Sequence, residues 1–357
     1  MPLRPLAMAA SALLAASPLA LTTPATATTP APATATAASA PAGGRACSRW
    51  TDIDGFSDAL DKTTFAGAQV GELSGLTPDS GGHLLAVADE SSLYTLDART
   101  RQPLSVQSLT DGAGQPLDSE AVAVDRDGTR LIASETEPSV VRFSRSGAYL
   151  GRLDAPTALH VAPAGRATRN QTFEGLTLLP GDHTLVASME GALSGDDSDV
   201  RRLQTWRRAG AAHDFHLAAQ YAVRVDAGLN ISDIAATGDG RLLILERGFT
   251  AGVGNTVRLY LADPTHASDV SGTDTAGAAS DVRTVRTTLL ADIASCPSLG
   301  ATAKQPQPNP LLDNIEGVTV TGRTHDGRLR LLMVSDDNGN ATQTTRLYSL
   351  TTRLPRR

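Results

Sequence analysis

"SEAVAVDRDGTRLIASE", residues 119–135, has the pattern of a β-hairpin. Ala121 to Val124 form a short apolar strand, Asp127-Gly128 supplies a tight turn, and Leu131 to Ala133 carry the chain back. An acid stands near each end, Glu120 and Glu135. Four more segments follow the same plan: "LSGLTPDSGGHLLAVADE" (73–90), "FEGLTLLPGDHTLVASME" (173–190), "SDIAATGDGRLLILE" (232–246) and "IEGVTVTGRTHDGRLRLLMVSDD" (315–337). A third strand is expected after each, at 93–96, 140–143, 203–206, 257–261 and 345–350, with outer strands at 104–109, 216–225 and 282–290. Four strands per repeat make a propeller blade. The expectation is an all-β propeller of four-stranded antiparallel blades, with five repeats counted. The last repeat has no outer strand of its own, while Thr63–Val70 precedes the first with nothing to pair with. That N-terminal stretch is expected to complete the last blade and close the ring, which removes two open sheet edges.

In an antiparallel hairpin the start of one strand lies beside the end of the next, so the two acids of a repeat meet at one edge. The pairs are Glu120 with Glu135, Glu174 with Glu190, Asp233 with Glu246, and Glu316 with Asp336, while Ser74 stands opposite Asp89. With the first strand innermost, these nine acids converge on one mouth of the channel. One such acid alone is explained by turn capping; a shared rim is not. Crowded like charges must either hold protons or bind cations. Carboxylates at this density favour a hard, oxygen-liganded ion, and Ca²⁺ is the expectation outside a cell. The expected ligands are Asp89, Glu135, Glu190, Asp233, Glu246 and Asp336.

The first 44 residues contain a single charge, Arg4, which leaves 30 basic against 38 acidic groups, a net of −8. Only two lysines occur and aromatics make up 4%, so a basic, base-stacking nucleic-acid surface is excluded. Arg4, an apolar run from Leu6 to Leu21 and Ala25-Thr26-Ala27 read as a signal peptide over 1–27, cleaved near Ala27, for a secreted protein without a membrane span. Residues 28–44, nearly all Ala, Thr and Pro, read as a disordered linker ahead of a propeller domain at 45–357. Cys47 and Cys296 are the only cysteines, and an even pair in an oxidising compartment is expected to be bridged. Such a bridge would staple the ring closure. A monomer is expected.

"GFSDALDKTTFAG" (55–67), "NQTFEGLTLLP" (170–180), "LERGFTAGVGNTVRLY" (245–260) and "DNIEGVTV" (313–320) resemble the phytase-like, esterase-like propeller family of secreted bacterial proteins. The resemblance spans 45–357. It implies a phosphoester hydrolase, and a relation to calcium-dependent propeller phytases implies six blades against the five repeats counted. The family's N-x-x-x-E-G position falls on Asn170 and Glu174, its E-R-x-F position on Glu246 and Arg247, and its N-I-E-G position on Asn314 and Glu316. Arg247 would hold a phosphate through paired N–H donors, with Asn170 and Asn314 also on the substrate. Glu174, Glu316 and Glu120 are the expected catalytic carboxylates, Glu174 or Glu316 as base toward a water.

Other chemistries leave less trace. Gly55-Phe56-Ser57-Asp58-Ala59 lacks the strand–turn–helix setting of a nucleophile elbow, and the histidines show no H-E-x-x-H. Two functions remain: a secreted, cation-dependent hydrolase of small phosphate esters, or a non-catalytic, calcium-stabilised propeller that binds a ligand, cell-wall polymer or protein of the cell envelope.

Overall fold

Short apolar runs separated by Gly, Asp and Asn turns build every element of the fold. The computed structural model describes residues 44–210, 214–277 and 281–357. The expected leader and all but Gly44 of the expected linker lie outside these. The chain opens with β1 (Thr51–Ser57) and a small hairpin, β2 (Thr63–Phe65) with β3 (Ala68–Val70). Blade 1 follows as β4 (Leu73–Pro78), β5 (His83–Ala88), β6 (Ser92–Asp97) and β7 (Pro103–Ser108). Blade 2 is β8 (Ser119–Val124), β9 (Arg130–Ser134), β10 (Ser139–Phe143) and β11 (Tyr149–Asp154). Blade 3 is β12 (Phe173–Leu178), β13 (Thr184–Met189), β14 (Val200–Arg207) and β15 (His216–Arg224). Blade 4 is β16 (Asn230–Ala236), β17 (Leu242–Thr250), β18 (Gly254–Asp263) and β19 (Arg286–Asp292). Blade 5 is β20 (Asn314–Arg323), β21 (Leu329–Asp336), β22 (Leu347–Thr352) and, outermost, β1. Five blades are present, not six.

The first strand of each repeat is innermost, and β4, β8, β12, β16 and β20 neighbour one another in a closed circle. Apolar side chains fill the spaces between blades. Phe173 packs edge-on against Trp206 between blades 2 and 3, and Leu245, Leu259, Ile315 and Met333 fill the contact of blades 4 and 5. Each such fully buried side chain contributes about 1.5–3 kcal/mol.

An N-terminal strand does close the ring, but it is Thr51–Ser57, from Thr51 opposite Thr352 to Ser57 opposite Leu347. Thr63–Val70 instead folds on itself, because Ala66 and Gly67 both take positive φ (51° and 86°) and turn the chain within two residues. The bridge between Cys47 and Cys296 is formed, and it ties the residues just before β1 to the connection between blades 4 and 5. Among the described residues no helix is long and apolar enough to cross a membrane.

Candidate functional site

Each innermost strand breaks register near its start. The ladder skips Ser74, Glu120, Glu174, Ser232 and Glu316, one bulge residue in each of blades 1 to 5. A bulge re-aims its side chain out of the sheet. The residue that follows sits where adjacent inner strands nearly touch. A Cβ at Gly75 would lie 2.7 Å from the Glu120 carbonyl oxygen, and one at Gly175 would lie 2.6 Å from the Ile234 nitrogen. This crowding accounts for the Glu-Gly pairs of the sequence: the acid occupies the bulge, and the glycine lets the strands meet.

The second strand supplies the partner position. Asp89, Glu135 and Glu190 donate their backbone N–H to Glu72, Asp118 and Thr172, and Asp336 lies opposite Asn314. In blade 4 the residue at this position, opposite Asn230, is Arg247. The rim therefore pairs Ser74 with Asp89, Glu120 with Glu135, Glu174 with Glu190, Ser232 with Arg247, and Glu316 with Asp336. It holds seven carboxylates and one arginine rather than nine carboxylates.

Asp233 and Glu246 are displaced by this register and leave the rim. Asp233 is buried between inner strands, where its carboxylate accepts the N–H of Val318 at 2.7 Å and its own neighbour Ile234 at 2.7 Å. Burial still raises its pKa well above the usual range. Glu246 faces the other side of β17 and accepts the Asp226 N–H at 2.9 Å. Burial pushes it up to about 7. The repeat of Asn-Ile in Asn230-Ile231-Ser232 and Asn314-Ile315-Glu316 is the sequence signal for the correct alignment.

Three carboxylate groups bring ligand oxygens within 4.8 Å of one another: Asp89, Glu120 and Glu316; Asp118, Glu120 and Glu135; and Glu135, Glu174 and Glu190. Asp118, two residues before a bulge acid, is a member that the hairpin pattern did not single out. Burial, reinforced by neighbouring acids, raises Asp89 to about 8, Glu135 to about 7 and Asp336 to about 9. The same causes hold Glu120 and Glu174 well above the usual carboxylate range, and burial raises Glu190 as well.

Few donors answer this charge. Arg247 Nη2 lies 3.0 Å from Glu316 Oε1 and 3.8 Å from Glu190 Oε1. Burial opposes its charge, but Glu316, Glu174, Glu190 and Asp336 outweigh that, so its pKa rises. Asn314 Nδ2 donates to Glu316 at 2.9 Å and to Asp336 at 3.3 Å. Ser74 donates to Asp89, Asn230 Nδ2 to Glu190 at 3.3 Å, and the Thr172 N–H to Glu135 at 3.0 Å. Asn170 is exposed in the loop before β12, with a φ of 53°, and no hydrogen bond or ion pair joins it to the rim among the described residues. Buried carboxylates with this little compensation form a set of hard oxygen donors that could hold a metal ion.

Several solved structures align with the chain at low sequence identity. A glutaminyl cyclase from Myxococcus xanthus aligns with a TM-score of 0.42 and 13% identity over 85% of this chain and 97% of that one. A putative gluconolactonase aligns at 0.39 and 15% identity over 78% and 73%. Virginiamycin B lyase from Staphylococcus aureus aligns at 0.36 and 9% over 78% of this chain and 66% of that one, just under two thirds of its length. No curated protein sequence matches the chain. The model of the family described as "Phytase-like: Esterase-like activity of phytase" matches residues 68–339, every inner strand included, and the chain belongs to that family.

Proposed function

We propose that the chain is a secreted, cation-dependent hydrolase of small phosphate esters working at the carboxylate rim. The observation that carries this reading is the set of seven carboxylates around a single arginine at one end of the channel. Asp89, Glu120, Glu135, Glu190 and Asp336, with Asp118, would hold the cation, Ca²⁺ first among candidates. Bound there, it would neutralise phosphoryl oxygens and ease their approach to the acids. Arg247 would turn its N–H donors from Glu316 toward a phosphoryl oxygen. Glu174 or Glu316 would accept a proton from the attacking water, whose oxygen bonds to phosphorus as the ester P–O bond breaks, and the departing alkoxide takes up a proton. Glu120, shared by two of the oxygen groups, would hold them in register, and Asn314 would fix Glu316 and Asp336.

A second reading, a cation-stabilised module that binds a cell-envelope ligand without turnover, is favoured by one observation: Arg247 is already engaged by Glu316 and Glu190. Release of phosphate or nitrophenol from aryl phosphate mono- and diesters, with Ca²⁺ and with EDTA, separates the two. The hydrolase reading expects turnover that EDTA abolishes and that Glu174→Gln lowers by about 10²-fold or more. Calcium-dependent stabilisation without turnover transfers the rim to the binding reading, and neither effect defeats both.

A further inference from the structure

The rim lies at the end of the ring where the inner strands begin; a different cavity lies at the other end. β4 runs from Leu73 at the rim to Pro78, and β20 from Asn314 to Arg323, so the β4–β5 and β20–β21 turns mark the far face. There, a cleft of about 650 Å³ opens along the seam where blade 5 meets blade 1. A smaller cavity of about 190 Å³ continues it along β1, and Arg101 lines both.

The charges in this cleft do not cancel among themselves. Asp79 is taken by a two-point pair from Arg130, at 3.1 and 3.3 Å. Asp54 is matched by Arg45 at 3.8 Å. That leaves Arg101, from the β6–β7 turn of blade 1, and Arg330, at the start of β21 in blade 5. Neither guanidinium makes a hydrogen bond or ion pair among the described residues. Asp97, the acid nearest to Arg101 in sequence, is committed to its own turn, accepting the N–H groups of Arg99 at 3.0 Å and Thr100 at 2.6 Å. Burial without a bonded carboxylate lowers the Arg101 pKa, against a weaker pull from Asp97. His83 also lines the cleft. In a chain of net charge −7, two unpaired arginines facing one cavity are a local excess of positive charge.

We propose that this seam cleft is a second binding site, for a small oxyanion-bearing molecule held between Arg101 of blade 1 and Arg330 of blade 5. Guanidinium groups match phosphate and carboxylate oxygens through paired N–H bonds. A ligand held from both blades would also tie the closure of the ring together on the face opposite the rim. The site is independent of the rim, because it needs no cation and none of the rim residues.

Calorimetric titration with inorganic phosphate and with citrate, on protein stripped of cations with EDTA and then dialysed free of it, tests it. Without cations the rim carboxylates repel both probes, so binding there does not contribute. Saturable binding of either probe is expected, the tighter one naming the oxyanion. Affinity should fall about tenfold in Arg101→Gln and in Arg330→Gln, the loss of one charge-assisted hydrogen bond each, and should be unchanged in Glu174→Gln. Arg330 is exposed, so its variant retains the fold and keeps the test decisive if Arg101→Gln does not. No saturable binding to the wild type, or binding to both arginine variants as tight as to the wild type, overturns the proposal. Neither result bears on catalysis at the rim.

Discussion

The two ends of the propeller use the same residue types in opposite states. On the far face three carboxylates of the inner turns are held in ion pairs: Asp79 with Arg130, Asp125 with Arg208, Asp239 with Arg241. The first two pairs cross from one blade to the next, and the Asp125–Arg208 side chains are essentially closed to solvent. At the rim, seven carboxylates share Arg247. Paired charges make the far end a joint between blades. The rim instead stores repulsion that protons or cations must relieve.

Breaking a joint on the far face is expected to have the largest effect. Arg208→Ala strands Asp125 without a partner and should cost about 3–5 kcal/mol, read by chemical denaturation and equal in Ca²⁺ and EDTA. Next is the cation itself. Ca²⁺ at a hundredfold excess over its dissociation constant should stabilise the fold by about 2.7 kcal/mol, and Glu120→Gln should remove most of that gain. Without cations, pH has an effect of definite sign. Glu135, Asp89 and Asp336 titrate near 7, 8 and 9 in the fold, above the roughly 4 of an unfolded carboxyl. Between those limits the folded chain binds more protons, so stability in EDTA should fall continuously from pH 5 to pH 9, and Ca²⁺ should flatten the slope. A melting series that rises with pH in EDTA contradicts the crowded rim. The smallest effect is expected at Arg247. Arg247→Gln should raise the KM for a phosphate ester about tenfold, near 1.4 kcal/mol, while tightening Ca²⁺ binding, because the one positive charge of the ring is gone.

Much of this arrangement was legible in the sequence. The alternation of the five hairpins, three of them with Asp-Gly turns, marked the blades, and the acids at hairpin ends marked the mouth. Two readings failed for physical reasons. Thr51–Ser57 is a poor strand by pattern, with Asp52 and Asp54 in it and a register break between Ile53 and Gly55, yet it is the strand that pairs with β22. Thr63–Val70 alternates better, but its Ala66-Gly67 turn makes it a hairpin of its own. In blade 4 the acids Asp233 and Glu246 fit the repeat by residue type. The bulge at Ser232 shifts the ladder by one position and brings Arg247 into line. A bulge leaves no periodic trace, so matching charges to charges picks the wrong register. The two far-face pairs that cross between blades lay beyond reach because they join distant parts of the chain, 51 positions apart for Asp79 and Arg130 and 83 for Asp125 and Arg208.

The link between Cys47 and Cys296 bears on mechanical loading. β1 is the outermost strand of its blade, bonded along one side only, and such a strand peels away one hydrogen bond at a time when its end is pulled. A tug on the chain ahead of Cys47 reaches a covalent crosslink first and is passed to the segment leading into blade 5, so the strand that shuts the ring is shielded from traction at its leading end until the crosslink is reduced.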